Sequence, residues 1–157
     1  MSFFCNFQSD RCPGQITGNP LNGLCEAILG TGAEVRVLRD PTRGGVATTL
    51  NEFIEGTALG IELYEDKVPV RDQVRAACDM LGLDPLYCAN EGKLLAVAAA
   101  DDAERVLSAM RETEEGRDAA IIGRVSAGYP GKLVMDTAFG GKRILQKLTG
   151  AQLPRIC

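Results

Sequence analysis

The longest apolar run of the chain extends from Leu94 to Ala100. It is far shorter than the roughly 20 residues that a membrane-spanning helix needs. The run instead predicts a strongly apolar strand over residues 93–100, and such a strand needs other layers of the fold to cover it. We therefore expect the chain to fold around a sheet, with no membrane as a partner.

Four segments have apolar residues three or four positions apart, which is the period of a helix with one buried face. They span residues 20–30, 46–58, 70–81 and 103–113. The apolar face of the first helix includes Leu24, Ile28 and Leu29, and that of the third includes Val74 and Leu81. These faces are expected to lie in the core.

Extended patterns predict the other strands, which span residues 34–39, 60–65, 119–126 and 132–137. Breakers from Gly128 to Gly131 favour a hairpin between the last two. Helices and strands do not alternate strictly along the chain. This order favours an α+β fold, a layered α/β sandwich of a mixed sheet with helices packed on it, over a doubly wound parallel sheet.

Charge and composition exclude several classes of function. The net charge is −4 and the basic residues are scattered, so no electrostatic surface for nucleic acid is expected. Without an export signal, the protein is expected in the cytoplasm, with its six cysteines as thiols. The chain has no histidine and no C-x-x-C pair, so we expect no metal site. Proton transfer must then use a carboxylate, Lys, Tyr or Cys with a shifted pKa, or a group from a partner.

The chain divides into three parts. Residues 1–18 show neither the helical nor the strand periodicity of apolar residues and are expected to be irregular. Residues 19–147 contain the predicted elements and are expected to form one domain. Residues 148–157 form a tail that reaches about 30 Å when extended and ends on Cys157. Taken alone, a cysteine at the last position is more often a coincidence than a nucleophile that the tail delivers to a distant pocket.

The turn from Asp40 to Gly45 is a candidate anion site. Gly44 and Gly45 allow backbone N–H groups to approach a ligand closely, and Arg43 beside a helix N-terminus favours a negative charge. An ordinary turn capped by Asp40 or Thr42 explains the same residues equally well, because neither a Walker A nor a G-x-G-x-x-G pattern is present.

Glu91 is the candidate general base. It lies between Asn90 and Gly92 at the start of the apolar strand, and glycine admits a close approach. Lys93 points to the same face of an extended segment, where it could pair with Glu91 or stabilise a phosphate. A solvated carboxylate in a turn is the alternative interpretation.

Several of these motifs together resemble one known family. The chain from about Pro20 to Cys157 is similar to the C-terminal half of HypE, a family of hydrogenase maturation proteins in the superfamily of aminoimidazole ribonucleotide synthetase (PurM) and selenophosphate synthetase. The similar segments are residues 39–45, 84–87, 89–94, 122–123, 140–145 and 153–157. The terminal Pro-Arg-Ile-Cys is the most specific of them, and with it the carrier interpretation of Cys157 becomes the favoured one.

The resemblance implies a PurM C-terminal-domain-like fold and an ATP-dependent dehydration that also uses Mg²⁺. In the family, a HypF-like carbamoyltransferase places a carbamoyl group on the terminal cysteine, and its dehydration gives a thiocyanate. A HypC–HypD-like scaffold then receives the cyanide for iron during assembly of [NiFe]-hydrogenase. For this chain the resemblance implies Cys157 as carrier and substrate, and Glu91 as proton acceptor.

The resemblance also implies two further sets of residues. The substrate- and phosphate-binding set comprises Asp40, Thr42, Arg43, Gly44, Gly45, Asn90 and Lys93. The tail that presents the thiol comprises Pro154, Arg155 and Ile156.

Members of the family carry a preceding domain that supplies much of the ATP and Mg²⁺ site, and residues 1–18 do not resemble it. We therefore expect this chain alone not to complete the dehydration. The apolar surface that such a domain would cover is expected to favour a homodimer or other self-association. Two alternatives stay open: a non-enzymatic module of the same fold that binds a ligand or partner, and a fragment of another ATP-dependent enzyme of the superfamily.

Overall fold

A computed structural model of the chain describes residues 2–6, 20–90 and 92–148. Within these ranges the strands are β1 Ser2–Asn6, β2 Val35–Arg39, β3 Gly60–Tyr64, β4 Leu94–Ala98, β5 Ala120–Ser126, β6 Leu133–Asp136 and β7 Lys142–Leu145. The α-helices are α1 Asn22–Gly30, α2 Gly45–Ile54, α3 Asp72–Leu81 and α4 Ala103–Arg111. Short 3-10 helices span Glu65–Lys67, Pro85–Tyr87 and Ala100–Asp102. Across these described ranges, every helix is too short or too polar to cross a membrane.

The strands form one mixed sheet in the order β2-β4-β1-β5-β3-β6-β7. Neighbouring strands are antiparallel except for β3 and β6, which are parallel. The α+β architecture with a mixed sheet is therefore confirmed.

Both faces of the sheet carry a core, and β4 contributes to each. Leu95 and Val97 pack in one cluster with the buried face of α2. Leu94, Ala96 and Ala98 pack in the other cluster, with α1 and α4. Because side chains of a strand alternate between the two faces, a strand that is covered on both sides needs an uninterrupted apolar run. The prediction of a strand here is confirmed.

The predicted hairpin between β5 and β6 is wrong, because β3 lies between these two strands. The loop that joins them packs instead against the start of β3, where the Gly131 N–H donates to the Leu59 carbonyl at 2.8 Å. The hairpin is formed by β6 and β7, closed by the Thr137 N–H bond to the Gly141 carbonyl at 2.8 Å. Breaker residues mark where the chain turns, but they do not determine which strands then pair.

The apolar periodicity predicted more buried residues than the structure shows in two helices, α1 and α3. In α1, Leu24 and Ile28 are fully buried, but Leu29 is 61% exposed. In α3, Cys78 is buried, whereas Val74 is 45% and Leu81 is 71% exposed. An amphipathic pattern identifies the face that can be buried; it does not show that another layer of the fold lies against it.

Residues 1–18 were expected to be irregular, but Ser2–Asn6 form a strand of the sheet. β1 is antiparallel to β4 on one side and to β5 on the other. Its backbone N–H and C=O groups can therefore form hydrogen bonds to both neighbouring strands. This pairing stabilises the strand although its sequence has no alternation of apolar and polar residues. Residues 7–19 lie outside the described ranges, and the domain boundaries at 18 and 148 stay predictions.

A nearly buried carboxylate joins two strands of the sheet. Glu62 on β3 is 7% exposed and accepts hydrogen bonds from Arg124 Nε at 3.2 Å and Nη2 at 2.9 Å. Ser126 Oγ lies 3.3 Å from the same carboxylate. The hydrogen bonds from Arg124 hold the pKa of Glu62 below its usual value.

We expect Arg124→Gln to lower the urea midpoint of unfolding at pH 7, because it leaves the Glu62 carboxylate buried without its cation. The pKa of this carboxyl is lower in the folded state than in the unfolded state, where it is about 4.3. Its contribution to stability is therefore complete above about pH 4.3 and is lost as the pH falls through the pKa of the folded state. The difference between wild type and variant should therefore narrow on acidification. Arg36→Gln, in an exposed pair with Glu34, is the control and should change little. A difference that stays constant with pH would contradict the assignment.

Candidate functional site

The predicted anion loop connects the end of β2 with the start of α2. Pro41 is buried, Asp40 and Arg43 are exposed, and Thr42 is half-buried. Gly44 and Gly45 have φ angles of 68° and 66°, in the left-handed region that favours glycine. The chain thus turns sharply into α2 and directs the first backbone N–H groups of that helix toward the loop, an arrangement that suits an anion.

A second loop, residues 84–90, lies against the first. The carboxylate of Asp84 accepts the Leu86 N–H at 2.9 Å and begins the 3-10 helix Pro85–Tyr87. Asn90 then donates its backbone N–H to the Pro41 carbonyl at 3.2 Å. A Cβ on Gly45 would lie 2.5 Å from the Leu86 carbonyl oxygen. The two sequence motifs, far apart in the chain, therefore form one surface. The backbone of the second loop leaves no room for a side chain at position 45, so this residue must be glycine.

Asn90 and Lys93 contact each other on this surface. Lys93 Nζ donates to Asn90 Oδ1 at 2.8 Å, and Asn90 Nδ2 donates to the Cys88 carbonyl at 3.0 Å. Asn90 is therefore held by its backbone and its side chain, and it positions the ammonium group. Glu91 lies outside the described residues, so its role as a base and its pairing with Lys93 stay predictions.

Thr48 is a residue that the sequence analysis missed. Its hydroxyl is fully buried in the first turn of α2 and has no hydrogen-bond partner among the described residues. A Cβ on Gly44 would lie 2.3 Å from this Oγ1 atom, so the hydroxyl lies directly beneath the glycine turn. An unsatisfied buried hydroxyl costs free energy, so the turn above it is held at a cost to stability. The available sequence signal was a threonine close behind a Gly-Gly helix start.

The last described residues of the chain run beside the same two loops. Tyr87 donates its hydroxyl to the Gln146 carbonyl at 2.9 Å, and Asn51 Nδ2 of α2 donates to the Leu145 carbonyl at 3.0 Å. Burial raises the pKa of Tyr87, so its hydroxyl remains a donor at neutral pH. Lys147 Nζ lies 3.2 Å from a carboxylate oxygen of Glu55. The predicted tail residues Pro154, Arg155, Ile156 and Cys157 lie outside the described ranges.

An ion pair connects the second loop to β7. Arg143 Nη2 contacts Asp84 Oδ2 at 2.6 Å, while the other oxygen of Asp84 caps the 3-10 helix. Asp84 thus fixes the loop at both of its carboxylate oxygens. Within the described ranges, no three Asp, Glu, Cys or His side chains are grouped as metal ligands.

The fold and this pair of loops define the class of protein. Residues 17–136 match the family of the AIR synthase related protein, C-terminal domain, and the chain belongs to this family. Among its relatives, it is 55% identical over 137 residues to the carbamoyl dehydratase HypE of Azotobacter vinelandii, a match that covers 87% of this chain and 40% of the relative. The HypE of Cupriavidus necator is 53% identical over 137 residues, with 87% and 39% covered. The chain thus spans about 40% of the length of these curated relatives.

Solved structures give the same result. A crystal structure of the hydrogenase maturation protein HypE superposes with a TM-score of 0.85 at 40% identity, covering 99% of this chain and 55% of that chain. HypE in complex with ATP gives a TM-score of 0.84 at 39% identity, covering 99% and 52%. A HypE–HypF complex gives 0.81 at 37% identity, covering 92% and 52%. PurL complexed with ATP, at 19% identity and a TM-score of 0.62, shares the fold alone. The resemblance to HypE and the PurM-like fold are confirmed.

Proposed function

We propose that this chain provides the carrier thiol and part of the phosphate-binding surface of a HypE-like carbamoyl dehydratase. The similarity to carbamoyl dehydratases supports the reaction class, and the ATP complex of a related HypE supports the use of ATP. Because the chain spans about 40% of these relatives, it is expected not to complete the dehydration alone.

The observation that carries this proposal is the position from which the tail leaves the domain. Tyr87 and Asn51 hold the Leu145–Gln146 backbone beside the loop that contains Asn90 and beside α2. The ten residues of 148–157 can span about 30 Å when extended. The thiol of Cys157 can therefore return to the surface next to its point of departure, or extend outward to another protein.

On that surface we assign the residues to two tasks. The turn from Thr42 to Gly45, with the positive charge of Arg43, binds a phosphoryl group at the start of α2. Lys93, positioned by Asn90, adds a positive charge. Asp40 lies at the rim of the loop, 3.8 Å from Arg39, where it orients that cation. This assignment keeps the predicted phosphate set, and the buried Thr48 lies beneath it.

The proposed reaction starts from a carbamoyl group on the sulfur of Cys157. ATP, when bound, supplies the phosphoryl group that makes the amide oxygen a good leaving group. As the amide oxygen takes the phosphoryl group and ADP leaves, Glu91 accepts one proton of the amide nitrogen and passes it to solvent. It then accepts the second proton as the carbon–oxygen bond breaks, which leaves a thiocyanate on Cys157 and releases phosphate. The described residues offer no cluster that fits Mg²⁺, so no step is assigned to that ion.

The carrier role requires partners at both ends of the reaction. A HypF-like carbamoyltransferase would load Cys157, and the existence of a HypE–HypF complex supports this partner. A HypC–HypD-like scaffold would receive the cyanide. Exposed apolar side chains, among them Leu81 and Ile144, favour a homodimer or another self-association. We place these steps in the cytoplasm, as the sequence predicts.

The proposal is tested by mass spectrometry after the chain is incubated with the carbamoyltransferase, carbamoyl phosphate and ATP. Cleavage after lysine releases residues 148–157, in which Cys157 is the one cysteine. We expect this peptide to gain the mass of a carbamoyl group, about 43 Da, and not to lose water afterwards, because the chain carries the nucleophile but spans only about 40% of the related carbamoyl dehydratases.

Cys157→Ser should abolish the adduct, and Cys25→Ser, which changes a half-buried thiol of α1, should retain it. Loss of water from the adduct would show that the chain completes the dehydration and would refute the proposed incompleteness. An unmodified Cys157, under conditions in which a full-length HypE is modified, would refute the carrier role.

A further inference from the structure

Two cysteines outside the proposed reaction contact each other behind the site. Cys78 lies in the last turn of α3 and is buried, and Cys88 lies in the second loop and is half-buried. Their Sγ atoms are 4.0 Å apart. Of the other cysteines in the described ranges, Cys25 lies in α1 and Cys5 in β1.

The proximity of the two thiols follows from the path of the chain between them. Gly82 ends α3 in the left-handed conformation, and the Leu83 N–H donates to the Cys78 carbonyl at 2.9 Å. Asp84 then caps the 3-10 helix, and the Cys88 thiol is directed back to the Asp84 carbonyl at 3.6 Å. Each turn of this ten-residue separation is hydrogen-bonded, so the two sulfurs meet without a search through many conformations.

We propose that Cys78 and Cys88 are a site of reversible disulfide formation, with a small disulfide such as glutathione disulfide as the oxidant. The Cys88 thiolate, on the more exposed residue, attacks one sulfur of the oxidant and releases one glutathione. The Cys78 thiolate then attacks the Cys88 sulfur and releases the second glutathione. Two protein thiols are oxidised, one disulfide is reduced to two thiols, and the two protons pass from the protein to the glutathione thiolates.

Proximity, not acidity, selects this pair. Burial raises the pKa of Cys88 to about 11, with a further contribution from Cys78, so the thiolate is scarce near neutral pH and the reaction is slow. The sulfurs must approach from 4.0 Å to the roughly 2.05 Å of a disulfide. The first attack is therefore slow, and the second is favoured because the partner thiol is already in contact.

The bond would affect two parts of the molecule. Cys78 is the buried residue of α3, whose other side chains are exposed, so the disulfide would tether a weakly covered helix to the domain. Cys88 belongs to the loop whose carbonyls lie against Gly45 and accept from Asn90. Closing the disulfide would therefore restrict the loop that carries the phosphate-binding residues. This inference does not depend on the carrier role of Cys157.

The chain offers a direct test, because trypsin cleaves after Arg75 and Lys93 and leaves both cysteines in one peptide. The full chain is equilibrated with glutathione disulfide, blocked with N-ethylmaleimide and digested. We expect peptide 76–93 to become about 2 Da lighter, the mass of two hydrogens, and to lose both maleimide labels. Dithiothreitol should restore both labels. A peptide that keeps two labels, or that carries one glutathione on Cys88 without ring closure, would overturn the proposal.

Matched variants separate this pair from the other thiols. Cys25→Ser should leave the lighter peptide unchanged, whereas Cys78→Ser should abolish it and leave a glutathione adduct on Cys88. Amide hydrogen exchange then tests the tether: exchange in residues 72–81 should slow by about tenfold on oxidation of the wild type, and not in Cys78→Ser. Equal exchange in the oxidised and reduced wild type would refute the effect on α3.

Discussion

Gly45→Ala is expected to destabilise the fold by about 3 kcal/mol or more, because it combines backbone strain with a collision. Gly45 has a φ of 66°, which costs an alanine about 1–2 kcal/mol. The new Cβ would also lie 2.5 Å from the Leu86 carbonyl oxygen and 2.7 Å from that of Cys88. Both oxygens belong to the backbone, so no side chain can rotate away, and the loop that carries Asn90 must move.

The control for this prediction is Gly131→Ala. Gly131 also has a φ of 66°, but a Cβ added there would have no atom of the described residues within 4 Å apart from its immediate neighbours in the chain. Its N–H bond to Leu59 is retained by alanine. We expect a cost of about 1–2 kcal/mol for strain alone. Urea unfolding of both variants measures the difference, and equal losses would show that the second loop does not press on Gly45 in solution.

Gly45 also illustrates what the sequence could and could not predict. The Gly-Gly turn between a strand and a helix was predicted correctly, because it depends on neighbouring residues. From the sequence, we predicted that the close neighbour of these glycines is a bound ligand. The neighbour in the structure is the Leu86–Cys88 backbone, which is distant in the chain. A contact between two irregular segments leaves no periodic pattern, so local reasoning could not find it.

The same distinction applies to the sheet. β4 was predicted from its own composition, since a strand covered on both faces must be apolar throughout. The insertion of β3 between β5 and β6 is a property of three distant segments, and the turn residues pointed instead to the wrong hairpin. The order of the strands depends on which of them together bury Ile61, Leu63 and Ile122. These are tertiary contacts, so the local sequence does not determine the order.

The candidate site was accessible from the sequence mainly through its similarity to a family. The residues alone left the Asp40–Gly45 loop equally well explained as a turn. The structure adds the contacts that join this loop to Asn90 and to the chain before the tail. It also adds Thr48, which the sequence could not distinguish from any other helical threonine because its missing partner is visible only in three dimensions.

The exposure of α3 leads to the second large effect, which compares two leucines that the helical pattern treats alike. Leu50 of α2 is fully buried, and Leu81 of α3 is 71% exposed. We expect Leu50→Ala to cost about 3 kcal/mol, from lost burial and the cavity that remains. In the monomer, Leu81→Ala should change the free energy of unfolding by less than about 0.5 kcal/mol. Both substitutions place alanine in a helix, so the difference reports burial alone.

Urea unfolding at two protein concentrations separates the remaining possibilities for α3. If the chain is monomeric under these conditions, Leu81→Ala should be nearly neutral at both concentrations, because water already contacts the side chain. A loss comparable to that of Leu50→Ala, and larger at the higher concentration, would mean that a second copy covers the apolar face of α3. A large loss independent of concentration would contradict the position of α3 itself, since the helix would then be packed within its own chain.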